Sequence, residues 1–332
     1  MKHAGSVVSA AEALLDERLG DRLQRASSLA AMTTYRVGGR AALFVDVASV
    51  DELRAVADVR AETGVPVLVI GRGSNMVVAD HGFDGVVVSI AGLADQIEIP
   101  GATGSPERIV TAGGGVALPV LARRTAAAGL TGFEWAVGVP GSIGGAVRMN
   151  AGGHGSDMAS CLIDVQVLDM DCPSVGRRTV AVDDLGLRFR ASALPPSQVV
   201  LEARLRLAVG DRERAEAALS EIVHWRREHQ PGGQNCGSVF VNPVPGEVSA
   251  GALIDGLGLR GFRIGSAWVS EKHANFIQAG EGGSAADVRA VMEAVRERVA
   301  EATGYRLRSE VRLVGFDDAD PMSFDDGEVE SG

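Results

Sequence analysis

Two glycine-rich stretches are the first places where this sequence could do chemistry. Gly71-Arg72-Gly73-Ser74-Asn75 directly follows the apolar run Val65–Ile70, so it reads as a loop straight after a strand. Backbone N–H groups in such a turn can converge on an anion, and glycine lets the main chain approach closely. A plain strand-to-strand turn would have the same composition. It is not a dinucleotide fingerprint of the G-x-G-x-x-G kind, because the third glycine position holds Met76 and no helical pattern follows. The second stretch is Gly138-Val139-Pro140-Gly141-Ser142-Ile143-Gly144-Gly145, running on to Asn150-Ala151-Gly152-Gly153. It has six glycines in sixteen residues, and Arg148 is its only charge. A loop that only had to be soluble would be more polar. One that lays bare backbone against a pyrophosphate or a flat ring would look like this. A buried structural turn is the alternative, and the absence of G-K-[ST] excludes a Walker loop.

Three isolated polar residues sit in otherwise apolar, strand-like surroundings: Arg190 in 187–192, Ser238 in 235–240 and Glu310 in 307–313. Strand alternation puts Glu310 on one face with Arg308 and Arg312, opposite Ser309 and Val311. A solvent-facing row has the same pattern, and for any one of the three taken alone a solvated position is the favoured reading. Ser270-Glu271-Lys272-His273-Ala274-Asn275 is a polar cluster before a strand, either a ligand contact or a capped loop. Cys236 precedes Gly237-Ser238 with no His/Asp arrangement around it, and reads as a small buried residue. No H-x-x-x-H or H-E-x-x-H spacing is present, so no metal is expected.

The elements that must hold these residues read as follows. An N-terminal amphipathic helix is expected over 8–25. A second runs from Ser49 to Thr63, with Ser49 and Glu52 as a capping box and Gly64 as its stop. Strands at 65–70 and 86–90 complete a small α/β unit over about residues 28–92. A strand at 109–112, the Gly113-Gly114-Gly115 turn and a helix at 117–128 open a strand-rich middle region. Further strands at 161–169, 178–182 and 199–208 carry it to 209. The block 210–316 reads as a separate α+β domain: helices at 211–229, 250–257 and 284–303, and strands at 237–241, 274–278 and 306–314. The last sixteen residues, 317–332, are acidic and expected to be disordered.

Composition narrows the partners. The chain of 332 residues carries 43 glycines, against roughly 23 expected at about 7% usage. Its net charge of −11 falls to −4 once the seven acids from Asp317 onward are set aside. That leaves no basic stripe for a phosphate backbone, and 4% aromatics offers few stacking platforms. Nucleic acid and membrane are therefore not expected. Cys161, Cys172 and Cys236 form no C-x-x-C pair, and no signal-peptide pattern opens the chain, which suits a reducing cytoplasm. The apolar run Val65–Ile70, about six residues, is far short of the roughly twenty needed to cross a bilayer.

Taken together, and in this order, seven segments over roughly residues 28–316 resemble the UDP-N-acetylenolpyruvoylglucosamine reductase (MurB) family. They are Thr33-Thr34-Tyr35-Arg36-Val37-Gly38-Gly39, the G-x-G-S-N loop at 71–75, and the G-x-P-G-x-x-G-G-A-x-x-x-N-A-G signature from Gly138. The other four are 187–192, 235–243, 258–276 and 307–315. The resemblance implies an α+β fold: a two-part FAD-binding unit of the vanillyl-alcohol-oxidase (PCMH) type, followed by a C-terminal α+β substrate domain. The domain boundaries expected are 1–27, 28–92, 93–209, 210–316 and 317–332.

The same resemblance implies FAD as cofactor, NADPH as hydride donor and a small nucleotide-sugar substrate, handled by a monomer or weak homo-oligomer. FAD would meet Tyr35, the 71–75 loop (Gly71, Arg72, Gly73, Ser74, Asn75) and the second glycine stretch through Gly138, Val139, Pro140, Gly141, Ser142, Gly144, Gly145, Asn150 and Gly152. Lys272, His273 and Asn275 would bind substrate. Arg190, Ser238 and Glu310 match catalytic positions, with Ser238 protonating a carbanionic carbon and Arg190, beside Glu310, stabilising the adjoining carboxylate. Three positions depart from the family: Phe189 stands for a tyrosine, Val241 for a lysine, and His229-Gln230-Pro231 where a lysine is usual. The short span from Arg190 to Ser238 fits the subgroup that lacks an inserted tyrosine-bearing loop.

Overall fold

A computed structural model describes residues 2–101 and 104–316. The acidic segment from Asp317 lies outside the described residues. The backbone groups into two compact units. The first combines the chain up to Ala26 with Ala42–Arg72 and Asp84–Glu228; the second combines Ser27–Ala41, Gly73–Phe83 and the chain from His229 on.

In the first unit, the N-terminal helix spans Lys2–Leu19 and stops earlier than its amphipathic pattern suggested. Gly20, at φ +50°, ends the α-turns, and Leu23–Ser28 continues as a strand instead of helix. That strand joins Arg40–Asp46, Phe83–Ser89 and Val67–Ile70 in a four-stranded sheet. The sheet packs against Lys2–Leu19 and Val50–Thr63 through Leu15, Val45, Leu53, Val56 and Val88. Ser49 accepts the Glu52 N–H at 3.1 Å, while the Glu52 carboxylate accepts from Ala48, one residue before the cap. Gly64 closes this helix at φ +72°.

The rest of the first unit is built on an antiparallel sheet ordered Arg177–Ala181, Leu162–Asp169, Gln198–Val209, Glu107–Gly113, Ile97–Glu98. Gln198–Val209 is its spine, with Ala203, Leu205 and Leu207 buried and Arg204 and Arg206 facing outward. Leu118–Ala127 covers the sheet with Leu118, Leu121 and Ala122.

In the second unit, a three-stranded meander (Arg263–Ile264, Ala267–Val269, Ile277–Ala279) packs on the helix Ala285–Thr303. Val288, Val291, Met292, Val295 and Val299 form the buried stripe of that helix. Ser284 caps it by accepting the Asp287 N–H, and the Asp80 carboxylate accepts from Ala285 and Ala286 at 2.7 and 3.0 Å. Gly304, at φ +79°, ends it. Met76–Val78 pairs in parallel with Arg312–Val314.

Two strands expected here are not regular. Residues 237–241 make only single bridges, Ser238 to Phe276 and Phe240 to Ser309, and the C-terminal strand is confined to Arg312–Val314. In both cases side chains take over backbone groups that a ladder would otherwise pair.

Candidate active site

Within the first unit, the start of the first glycine stretch meets the second. A Cβ on Gly71 would lie 2.5 Å from Ser142 Oγ, so any larger residue here must push that hydroxyl aside. Ser142 is buried because it begins a short helix, Ile143–Arg148, whose Gly145 N–H it accepts at 3.4 Å. The stretch expected as continuous loop therefore contains one helical turn and a half. It is anchored by Gly144 N–H on Gly114 C=O at 2.8 Å and Ile143 N–H on Val116 C=O at 2.9 Å. The Gly113-Gly114-Gly115 turn thus supports the site, a role the sequence flagged only as a glycine run. Ahead of it, Gly141 N–H reaches back over Pro140 to Val139 C=O at 2.9 Å. Gly138 leaves room for Arg226, whose Cδ would stand 2.4 Å from an added Cβ.

Asn150 is buried in a left-handed conformation, φ +38°. Its Oδ1 accepts the Ala159 N–H, and its Nδ2 donates to Asp157 and to Arg188 C=O, so its side chain shapes the loop from within. Arg190 is not on a strand. Reciprocal hydrogen bonds between Arg188 and Ala191 close a tight turn with Phe189 and Arg190 at its tip, and Arg190 takes φ +58°. Its Nη1 donates to Gly152 C=O at 3.0 Å, and its guanidinium lies 5.2 Å from the exposed Phe189 ring. This turn joins Arg190 to the end of the second glycine stretch, though 38 residues separate them in sequence.

Within the second unit, Ser238 and Glu310 lie on neighbouring segments. Glu310 N–H donates to Val239 C=O at 2.8 Å, and Val241 N–H to Arg308 C=O at 2.9 Å. Asn75 Nδ2 donates to Glu310 C=O at 3.0 Å, so the end of the first glycine loop holds the glutamate backbone. Ser309 Oγ bonds both the C=O and the N–H of Val311, which kinks the chain around Glu310. Tyr35 is fully buried in this unit's core with its hydroxyl on Ile277 C=O at 2.9 Å. Burial drives its phenol well above the ordinary range. Cys236 touches that hydroxyl, and burial likewise raises its thiol, which fits the reading of an inert buried residue. Lys272 is exposed, with its N–H on Ser270 Oγ. His273 is half-buried against Phe276, and its Nδ1 accepts the Asn275 N–H at 3.2 Å. Burial, then the charge of Arg260, lowers the imidazole pKa.

Among the described residues, two buried hydroxyl or indole donors beside the glycine segments have no hydrogen-bond partner. Thr34 Oγ1 sits beside Gly73, whose C=O takes the Thr34 N–H at 3.1 Å. Trp135 Nε1 is buried three residues ahead of Gly138. Buried hydroxyl and indole groups are rarely left unsatisfied. Such donors beside glycine-rich main chain fit an anionic, aromatic cofactor. Among the described residues no group of three or more His, Cys, Asp or Glu could hold a metal ion, and no helix is long and apolar enough to cross a membrane.

Comparison with known proteins agrees with this geometry. Residues 41–172 match the family model of an FAD binding domain, and residues 229–314 match that of the UDP-N-acetylenolpyruvoylglucosamine reductase C-terminal domain. The first match contains Gly71–Asn75 and Gly138–Gly153; the second contains Ser238, His273, Asn275 and Glu310. Fold and site thus define an FAD-binding α+β flavoprotein with a distinct C-terminal domain. A UDP-N-acetylenolpyruvoylglucosamine reductase of Heliobacterium modesticaldum is 43% identical over 286 residues, covering 85% of this chain and 88% of its own. One from Gloeobacter violaceus is 41% identical over 89% of this chain and 97% of its own. The crystal structure of the Thermus caldophilus enzyme superposes with a TM-score of 0.73 at 32% identity, covering 88% and 99% of the two chains. The chain belongs to the UDP-N-acetylenolpyruvoylglucosamine reductase family.

Proposed function

We propose that this chain reduces UDP-N-acetylglucosamine enolpyruvate to UDP-N-acetylmuramate with NADPH, through FAD, in peptidoglycan precursor synthesis. The observation that carries the reading is the family membership over 85% of the chain. When bound, FAD would supply the hydride-transfer chemistry that links NADPH to the terminal CH₂ carbon of the enolpyruvyl group. The main chain of Gly71–Asn75 and Gly138–Gly153 would hold that cofactor.

The remaining chemistry falls to the chain's own side chains. The hydride makes a methyl group and leaves negative charge on the carbon beside the carboxylate. Arg190 stabilises that charge as it spreads into the carboxylate, and the Glu310 carboxyl serves the same charge. Ser238 gives its hydroxyl proton to the carbon and regains one from solvent. A serine is a weak acid, so its placement matters more than its acidity. The net change is one hydride and one proton added across the double bond, with NADPH oxidised to NADP⁺. Lys272 and His273 support binding of the nucleotide sugar. The enzyme acts in the cytoplasm as a monomer or weak homo-oligomer.

The test is anaerobic. The flavin-loaded protein is bleached with one equivalent of NADPH, then mixed with the enolpyruvyl nucleotide sugar. Return of the oxidised flavin spectrum with formation of UDP-N-acetylmuramate is expected. A flavin that NADPH bleaches and the sugar does not restore sinks the substrate assignment.

A further inference from the structure

We propose that Asn275 is a positioning residue for Ser238: its side-chain amide replaces a missing strand partner and fixes the segment that carries the serine hydroxyl. The proposal rests on the reading of Ser238 as proton donor.

Residues 237–241 make single bridges in place of a ladder, so something else must pair their backbone. Phe240 is only 1% exposed, and both its N–H and its C=O need partners. Asn275 supplies both. Its Oδ1 accepts the Phe240 N–H at 3.0 Å, and its Nδ2 donates to the Phe240 C=O at 2.8 Å. Its own backbone C=O accepts the Val239 N–H at 2.9 Å. From the other side Glu310 N–H bonds Val239 C=O at 2.8 Å. Val239 and Phe240 are therefore threaded between Asn275 and Glu310, and Ser238 is the next residue out.

A carboxamide is the one short side chain that can accept and donate at this spacing. Aspartate can accept but not donate, and leucine can do neither. Asn275 is itself fixed: it is 5% exposed, and its N–H donates to His273 Nδ1 at 3.2 Å. With both ends of the amide on Phe240, one N–H and one oxygen lone pair remain for any other partner. That is the arrangement of a clamp and not of a substrate ligand. It also gives Ser238 and Glu310 a common frame, because any slide of the Val239–Phe240 segment changes the serine's position relative to the glutamate.

The test uses the full-length, FAD-loaded protein, with Asn275→Ala and Asn275→Asp. Anaerobic stopped flow would follow flavin reduction by NADPH separately from reoxidation by the enolpyruvyl nucleotide sugar. Reduction should stay within about twofold of wild type, while reoxidation at saturating sugar should slow about 100-fold in Asn275→Ala. The KM for the sugar should move less than about threefold. Asn275→Asp, which keeps the acceptor and loses the donor, should fall between. Amide hydrogen exchange in the peptide spanning 237–241 should quicken about tenfold or more in Asn275→Ala. If that variant does not fold, Asn275→Asp carries the same readouts. Wild-type reoxidation with wild-type exchange overturns the proposal. So does a KM raised about tenfold at an unchanged saturating rate, which would make Asn275 a substrate ligand. If wild-type reduced flavin is not reoxidised by the sugar, the proton-delivery role falls with the functional reading, and exchange alone decides the clamp.

Discussion

Ser238 and Arg190 are expected to act late in the catalytic cycle, and their variants should show it. Ser238→Ala should leave flavin reduction by NADPH intact and slow reoxidation by the sugar by about 10²–10⁴-fold, read by stopped flow. Arg190→Lys replaces a planar fork with a point charge and loses the anchor on Gly152 C=O, so kcat should fall by about 10²–10³ with normal flavin reduction. His273 gives a pH signature. Burial favours its neutral form, so its pKa in the folded state lies below 6.5. The unfolded chain then binds the extra proton between that lowered value and 6.5, so stability from this group is fully present above 6.5 and is lost as pH falls through the window. In urea titrations at a series of pH values, His273→Phe should remove that part of the acid-side loss. The thiols make a third case. Cys172 is exposed, whereas Cys161 is buried with its pKa pushed up to about 12 and Cys236 is buried and raised as well. Iodoacetamide at neutral pH should label Cys172 alone in the folded protein, as mapped by peptide mass.

At the scale of elements, contacts between distant loops decide what each segment can do. The passage of Gly71 over Ser142 is a steric statement that a pair of variants can check. Gly71→Ala should cost FAD retention on gel filtration, because its Cβ would stand 2.5 Å from Ser142 Oγ. Adding Ser142→Ala removes that oxygen and should restore part of the bound flavin, less the loss of a helix cap worth about 1 kcal/mol. Asp80 tests a contact of the second unit. Its carboxylate accepts two N–H groups at the start of Ala285–Thr303. Asp80→Ala should destabilise the protein by about 1–2 kcal/mol in urea unfolding, with flavin content unchanged. The caps themselves were legible in the sequence: Ser49 with Glu52, and Gly64, act as their spacing implies. The irregular segments were not. The segment 237–241 reads as a strand, yet the amide of Asn275 satisfies its backbone, and residue type along the segment carries no information about which partner does so.

For the molecule as a whole, binding of the cofactor should be visible as stability. FAD at about 100 times its Kd should stabilise the flavin-free protein by about 2.7 kcal/mol, seen as a higher midpoint in thermal unfolding. An unchanged midpoint would remove the glycine segments from the cofactor site. Glycine placement, helix caps, alternating strands and the ordered motifs are local properties, fixed by residue type and spacing, and the sequence by itself determined them. They were enough for an α+β flavoprotein and its family. Which residues meet was decided by tertiary structure. Arg190 reaches Gly152 only because residues 188–191 close a turn; Asn75 holds Glu310 only because Met76–Val78 pairs with Arg312–Val314. Tyr35 carries its hydroxyl to Ile277 across 242 residues of chain. Such contacts depend on chain crossings that local propensity does not encode, so the same polar residue reads identically from sequence whether it lies in solvent, in the core or beside the substrate.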